Sequence, residues 1–487
     1  MSPTILLTTE GTYPYSRGGV STWCQQLLEH LPTYRFQVVS LISNPYLTPL
    51  FRPPPNVELM TIPLWGGGDV RRAVAGHNGS QSAPSSLPPP DDGAVEEGFL
   101  EPFLQLLEDC QASEVAPREA GAALAKLHDH FQRFDYLATF GAALAFEGFG
   151  RFLADHPDAK AGSPRIADQK HLLALLARLL SPLSVPVPEA DLTHATVAGW
   201  SGLFGLVAKE KWNRPLLLTE HGVFLREQLY FLESQKGTAP FSKRFLKRFI
   251  RGLVLTTYEY ADRVLPVCDF NARWEQALGV DPSKIQVIYN GLTDDYFATP
   301  ADFSRADASR PEIISITNIN PMKDTETAIR AMALIVERRP DARLTIYGPV
   351  RHAQYQRYCR ELVRESGLQK HVRFGGPLDD VRAKLKPYAI SLLTSLSEAL
   401  PYTLLESMAA GQAIVATAVG GVPDALDGAG LLVGVRDYQD VARACLQLLD
   451  NPQLREELGR KARLQARNFQ LDKMVGSYRA AYQAHLR

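Results

Sequence analysis

The sequence predicts an α/β fold in two halves, each organised around a parallel sheet. Three observations carry this expectation. Apolar strand-like runs alternate with helical periodicity from Ile5 onward. The alternation restarts at Ile313 after a Pro-, Asp- and Arg-rich stretch that reads as an interdomain linker through Arg310. The length of 487 residues gives room for two large or three ordinary domains.

In the first half, Ile5 to Thr9 reads as a buried strand, and a loop to Gly19 leads into a helix over Val20–Leu31. Phe36–Ile42 and Val57–Leu64 are the next strands. Residues 66–93 hold a triple glycine, a Gly/Ser run and Pro88-Pro89-Pro90, a composition expected to form a mobile loop. Residues 99–180 are helical in pattern and read as an insertion. Strand signals return at Asp191–Ala195, Leu216–Thr219, Val264–Val267 and Ile285–Tyr289. In the second half the strands are expected at Ile313–Ile316, Leu344–Tyr347, Val372–Phe374, Ile390–Thr394, Ile414–Thr417 and Leu431–Val433. Three amphipathic helices close the chain. The expected domains are 1–300, 301–469 and a last helical segment 470–487, which the family resemblance described below implies returns to the first half.

Composition excludes several classes. Lys and Arg number 52 against 53 Asp and Glu, a net charge of −1. A nucleic-acid binder would carry a basic footprint. The five cysteines are scattered, without a C-x-x-C pair, so neither a zinc site nor a disulfide framework is expected. The first residues lack a charged region followed by a long apolar run, and Tyr136–Phe146 falls short of a spanning helix. A cytoplasmic protein is expected, with surface contact to a membrane complex left open.

Four segments could carry chemistry. The first runs from Thr394 to Gly411. Pro401 suits a helix start and Gly411 a helix stop. The amides in the stretch Leu400 to Thr403, Pro401 itself having no N–H, would then face an anion. Glu398 before the helix and Glu406 within it can each accept from sugar or ribose hydroxyls; alternatively, Glu398 caps the helix and Glu406 sits in a surface ion pair. The second is Arg17-Gly18-Gly19, where glycines admit a phosphate to a helix start or simply make a βα turn. The third is Asn318 to Asp324, in which Lys323 either neutralises a diphosphate or is solvated. The fourth pairs His194 with His221, each after a strand and each either a sugar contact or a structural histidine. No G-x-G-x-x-G fingerprint and no metal-ligand spacing occurs; Gly199 to Gly205 has the wrong spacing.

Together these segments resemble the retaining GT-B glycosyltransferases of family 4. Ser397-Glu398-Ala-Leu-Pro401, Glu406 to Gly411, Ile414 to Thr417 and Gly420-Gly421-Val-Pro read like that family's E-x7-E signature and the strand that follows. Glu10 to Trp23, with Thr219-Glu220-His221-Gly222 and Arg226-Glu227, is similar to the PelF-type enzymes of Pel exopolysaccharide synthesis. The resemblance implies two Rossmann-like domains facing a central cleft, a UDP-sugar donor, no metal and no separate cofactor. It gives His194, Glu398 and Lys323 catalytic roles. Gly18, Gly19, Asn318, Lys323, Ala399, Leu400, Pro401, Tyr402, Thr403 and Glu406 would bind the donor. Tyr13, Arg17, Glu220 and His221 would meet the acceptor. It also implies a glycan acceptor and an inner-membrane synthesis or export complex as partner.

The sequence departs from the family at three places. Thr317-Asn318 stands where Gly-Arg is usual, so leaving-group charge falls to Lys323 and the helix start. Ala399 replaces a glycine and Asp424 a glutamate. The alternative from another class is a nucleotide-sugar-binding scaffold subunit with little catalysis. An oxidoreductase on a Rossmann scaffold is disfavoured by the missing glycine fingerprint.

Overall fold

The computed structural model describes residues 2–44, 46–64, 87–156, 165–298, 311–378, 380–385 and 387–486. The chain divides into two units. The first comprises Met1–Pro266, Ala272–Val287 and Tyr478–Arg487; the second comprises Val267–Asn271 and Ile288–Ser477. The boundary therefore falls between 287 and 288 rather than at 300, and the last helix, Leu471–His485, belongs to the first unit only from Tyr478.

The first unit holds six strands: β1 (Thr4–Glu10), β2 (Arg35–Ile42), β3 (Val57–Pro63), β4 (Leu192–Ala195), β5 (Leu216–Glu220) and β6 (Arg263–Pro266). Their order is β3-β2-β1-β4-β5-β6, and every pairing is parallel. β1 is buried along its middle five residues, as a strand covered on both faces must be. The helix that follows β1, Gly19–His30, buries Trp23, Cys24, Leu27 and Leu28, the 3–4 spacing of an amphipathic helix.

The expected helical insertion is present and starts earlier than its composition indicated. Residues 65–86 of the expected mobile loop lie outside the described residues, whereas Ala94–Leu100 is already helical, in a wide-turn helix leading into Glu101–Gln111. Helices Pro117–Arg133, Tyr136–Gly141, Ala143–Asp155 and Ile166–Leu179 complete it. Phe99, Phe103, Phe131 and Phe149 are fully buried in one cluster that also contains Leu6, Val39 and Leu218 of the sheet. Each such ring contributes on the order of 2–3 kcal/mol. Insertion and sheet thus share a single core. Helices Glu101–Gln111 and Pro240–Tyr260 approach so closely that a Cβ on Gly252 would lie 2.4 Å from the Cys110 Cα.

The expected strand Ile285–Tyr289 does not form. Only Ile285 bridges to Val264, because the chain leaves the first unit after Val287 and cannot continue a ladder there. Of the expected linker, residues 299–310 lie outside the described residues, and Asp295–Ala298 is a short helical turn.

The second unit repeats the plan. Its strands are β7 (Glu312–Ile316), β8 (Arg343–Tyr347), β9 (Val372–Gly376), β10 (Ile390–Leu393), β11 (Ala413–Thr417) and β12 (Leu431–Val433). The order β12-β11-β10-β7-β8-β9, all parallel, is the same doubly wound topology read from the other edge. Helices Thr325–Arg338 and Tyr438–Asp450 pack their apolar faces on this sheet in a core that includes Ile313, Met332, Leu392 and Leu448. In such sheets a ligand crevice opens beyond the carboxyl ends of the strands where the winding reverses. Those seams are β1/β4 in the first unit and β7/β10 in the second.

Candidate functional sites at the two winding seams

The loops beyond β7 and β10 carry the second unit's expected residues to one place. After β7, Pro321–Lys323 makes a single tight turn, its first amides capped by Asn320, whose side chain accepts from the Lys323 amide. Asp324 then adopts φ +45° and caps the next helix through the Thr327 amide and hydroxyl. After β10, the Thr394 hydroxyl donates to the Asp324 carbonyl at 2.9 Å, and the Leu396 amide to the Met322 carbonyl at 2.8 Å. These bonds lock the two loops together. Across them Lys323 Nζ donates to Glu398 Oε1 at 2.5 Å, and the Ser395 hydroxyl reaches the same oxygen at 2.6 Å. Among the described residues no donor reaches Glu398 Oε2.

The backbone beyond Glu398 is buttressed from β11. Gly420 has φ +58°, and a Cβ there would lie 1.7 Å from the Glu398 carbonyl oxygen, so only glycine fits. The Gly421 amide donates to the Ala399 carbonyl at 2.8 Å, and Asn290 Nδ2 to the Leu400 carbonyl at 2.9 Å. The helix Tyr402–Ala409 begins at Pro401 without a side-chain cap, and the Pro401 carbonyl accepts from the Leu404 amide at 3.0 Å. Gly411 past its end has φ +72°, the left-handed stop the sequence indicated. Asn318 is half-buried on the loop beyond β7.

Glu406 lies one turn into that helix. Tyr296 donates its hydroxyl to Glu406 Oε1 at 2.7 Å. Loss of hydration raises the Glu406 carboxyl to about 7, with the Tyr296 hydrogen bond and the Arg382 charge opposing the rise.

In the first unit, several expected contacts are sealed inside the protein. His194 lies on β4 with no exposure; its Nδ1 is 2.7 Å from the Tyr482 hydroxyl and its Nε2 2.8 Å from the Thr219 hydroxyl. Burial, followed by the charge of His221, lowers its pKa to about 3, so the ring is neutral. A neutral imidazole has one donor and one acceptor nitrogen, and both are already used. The expected catalytic role for His194 is corrected to a structural one. Tyr13 is likewise fully buried, with its hydroxyl donated to Gln25 at 2.9 Å. Glu220 is fully buried at the end of β5; its Oε1 accepts from the Ala198 amide at 2.7 Å and its Oε2 from the Phe224 amide at 3.2 Å. Neither is placed to touch an acceptor. Both expectations fail because a residue at a strand's end can turn inward as readily as outward.

His221, one residue beyond Glu220, is different. It is half-buried, its ring stands edge-on to Trp23 at 4.6 Å, and its Nε2 makes no hydrogen bond. Burial lowers its pKa to about 3. That nitrogen is itself buried. Glu10, at the end of β1, reaches over the seam to accept from the Ser201 amide at 2.6 Å. Desolvation raises it to about 7. The loop after β4 is therefore held from both sides, by Glu10 of β1 and Glu220 of β5. Gly18 and Gly19 are exposed at the start of the Gly19–His30 helix, where a Cβ on Gly18 would meet nothing within 4 Å, and Arg17 is exposed beside them.

Tyr296, Ser395 and Glu10 escaped the sequence reading. Tyr296 reaches Glu406 across 110 positions, with no local spacing to announce it. Ser395 lies inside the motif and was the one of the three within reach of a spacing argument. Among the described residues no group of three or more His, Cys, Asp or Glu could hold a metal ion, and no helix is long and apolar enough to cross a membrane.

Residues 3–283 match the family described as "Domain of unknown function (DUF3492)", and residues 301–465 match "Glycosyl transferases group 1". A D-inositol 3-phosphate glycosyltransferase of Actinosynnema mirum is 33% identical over 306 residues, covering 58% of this chain and 70% of that protein. Its counterpart from Kribbella flavida is 29% identical, covering 58% and 68%. Among solved structures, sucrose-phosphate synthase from Thermosynechococcus elongatus aligns over 99% of this chain and 98% of its own, at TM-score 0.63 and 19% identity. Anabaena Alr3699/HepE, solved with UDP, aligns over 99% and 100% at TM-score 0.59 and 14% identity. With its two doubly wound sheets and these matches, the chain belongs to the group 1 glycosyltransferases of GT-B fold, with a DUF3492 domain as its N-terminal part.

Proposed function

We propose that the chain is a metal-independent, retaining hexosyltransferase that moves a sugar from a UDP-sugar to a hydroxyl of a glycan. The observation that carries this reading is the convergence of Lys323 and Glu398 over the uncapped start of helix Tyr402–Ala409. A lysine and first-turn amides suit a diphosphate. A carboxylate with one oxygen uncommitted suits a sugar hydroxyl. Glu406 then takes the ribose. The choice of UDP follows the family resemblance and the HepE complexes with UDP and UDP-glucose.

In the reaction the bond from sugar C1 to the diphosphate oxygen breaks, and a bond from C1 to the acceptor oxygen forms on the same face. The acceptor proton passes to the departing diphosphate oxygen. Negative charge grows on that oxygen, where Lys323 and the helix-start amides stabilise it. With Asn318 in place of an arginine, Lys323 is the principal cation for this task. The PelF resemblance supports a reaction in exopolysaccharide synthesis, in the cytoplasm beside an inner-membrane complex.

Calorimetric titration with UDP, GDP and ADP, followed by a UDP-sugar turnover screen, tests the reading. UDP binding weakened by Lys323→Ala and Glu406→Ala, together with turnover, is expected. Binding without turnover against any acceptor would turn the reading to a nucleotide-sugar-binding scaffold. No nucleotide binding would end it.

A further inference from the structure

We propose that Tyr296 is a positioning residue of the nucleotide site, its hydroxyl fixing Glu406 so that a single carboxylate oxygen, Oε2, is presented to the ribose. The proposal rests on the nucleotide-sugar reading above and adds to it a residue outside every motif.

The geometry starts with the contact itself. Tyr296 donates to Glu406 Oε1 at 2.7 Å, and among the described residues no donor reaches Oε2. A phenol hydroxyl and a ribose hydroxyl are the same kind of donor to a carboxylate. Tyr296 could therefore hold the ribose position until nucleotide arrives, or it could orient the carboxylate permanently. The surroundings favour orientation, because the turn that carries Tyr296 is tied down. Arg382 lies 4.8 Å over the Tyr296 ring and pairs with the neighbouring Asp295. Arg463 donates to the Phe297 carbonyl at 3.0 Å and to the Ala409 carbonyl at 2.6 Å. The second of these carbonyls ends the helix that carries Glu406, so one guanidinium joins the Tyr296 turn to that helix. A residue braced by two arginines is built to stay.

The arrangement also controls charge. The groups facing Glu406 are Tyr296, Arg382 and Asp380, with Arg463 at the far end of its helix. Burial and Asp380 favour the protonated carboxyl, whereas Tyr296 and Arg382 favour the carboxylate. Removing the Tyr296 hydroxyl leaves Glu406 easier to protonate and free to rotate. Both changes weaken its hold on a ribose.

The experiment is titration of the full chain and of Tyr296→Phe with UDP and with 2′,3′-dideoxy-UDP, from pH 6 to 8.5. The phenylalanine keeps the ring beneath Arg382 and removes only the oxygen. Tyr296→Phe should weaken UDP by about tenfold, the worth of one hydrogen bond to a charged group. It should also move the pH at which UDP binding is half lost upward. It should leave 2′,3′-dideoxy-UDP unchanged, which also cancels the titration of the phosphates. Tighter UDP binding by the variant would make Tyr296 a placeholder and overturn the proposal. Equal losses for both nucleotides, or no loss, would overturn it as well. Absence of UDP binding by the unaltered chain would remove the nucleotide reading, and this proposal with it, which is a distinguishable result.

Discussion

Lys323 and Glu398 meet across the seam between β7 and β10, Nζ to Oε1 at 2.5 Å, although 75 positions separate them. Their side chains are only 22% and 10% exposed, so neither charge is well solvated alone. Lys323→Met should weaken UDP by about tenfold or more, since it removes a charge-assisted contact to phosphate. Glu398→Gln should leave UDP affinity within about threefold and abolish transfer, because its free oxygen is assigned to the sugar. Calorimetry and turnover together separate the two.

The two histidines of the first unit should part company. His194→Ala opens a cavity and strands the Tyr482 hydroxyl, while Thr219 keeps Tyr478, so a loss of about 2–4 kcal/mol is expected. His221→Ala removes the ring that stands edge-on to Trp23 but loses no Nε2 hydrogen bond, so it should cost less than His194→Ala. Chemical denaturation is the measurement. Equal effects on stability would contradict the assignment.

Stability should fall as pH rises from about 6.5, where the buried histidines no longer oppose the trend, to 8.5. Glu10 and Glu406 are raised to about 7 and Glu275 to about 8, all chiefly by burial. A carboxyl raised in the folded state is stabilising while protonated, and that contribution is lost as pH passes through its folded value. Glu275 is fully buried and neither of its oxygens has a hydrogen-bond partner. Glu275→Gln cannot ionise, so it should flatten the slope and be more stable than the unaltered chain at pH 8.5, by about 1.4 kcal/mol or more. Unfolding curves at pH 6.5 and 8.5 decide it.

Gly420→Ala should damage the donor site without touching a ligand. The added Cβ would press on the Glu398 carbonyl oxygen at a positive φ, a strain of about 1–3 kcal/mol. The expected result is loss of sugar transfer with UDP affinity reduced less than fivefold. Unchanged transfer would show that the Glu398 loop tolerates displacement.

Much of this was legible in the sequence because parallel strands and their loops are local features. The strand Leu431–Val433 and the stop at Gly411 fall where composition places them. Lys323, Glu398 and Glu406 lie where the sequence positions them, beside helix starts and strand ends, because those have signatures. The reading failed where direction rather than position matters. Tyr13, His194 and Glu220 sit at plausible places, but their side chains turn inward to Gln25, to Thr219 and Tyr482, and to two backbone amides. Nothing in a linear pattern says which way a side chain at a strand's end will face. Tyr296 failed differently, since a hydrogen bond spanning 110 positions leaves no periodic trace.

The shared core of insertion and sheet also bears on how the chain assembles. β1 must find β4 across 187 positions before the middle of the first sheet can zip. Closing so long a loop from an open chain is slow. The helices between them make mostly neighbouring contacts, such as Phe99 on Phe103 and Phe131 on Tyr136, and these can form without waiting. Once they have gathered, the two strands are delivered to each other by a compact spacer, and a long search becomes a short one. Excising the insertion would then cost the domain its route to the native state as well as its packing.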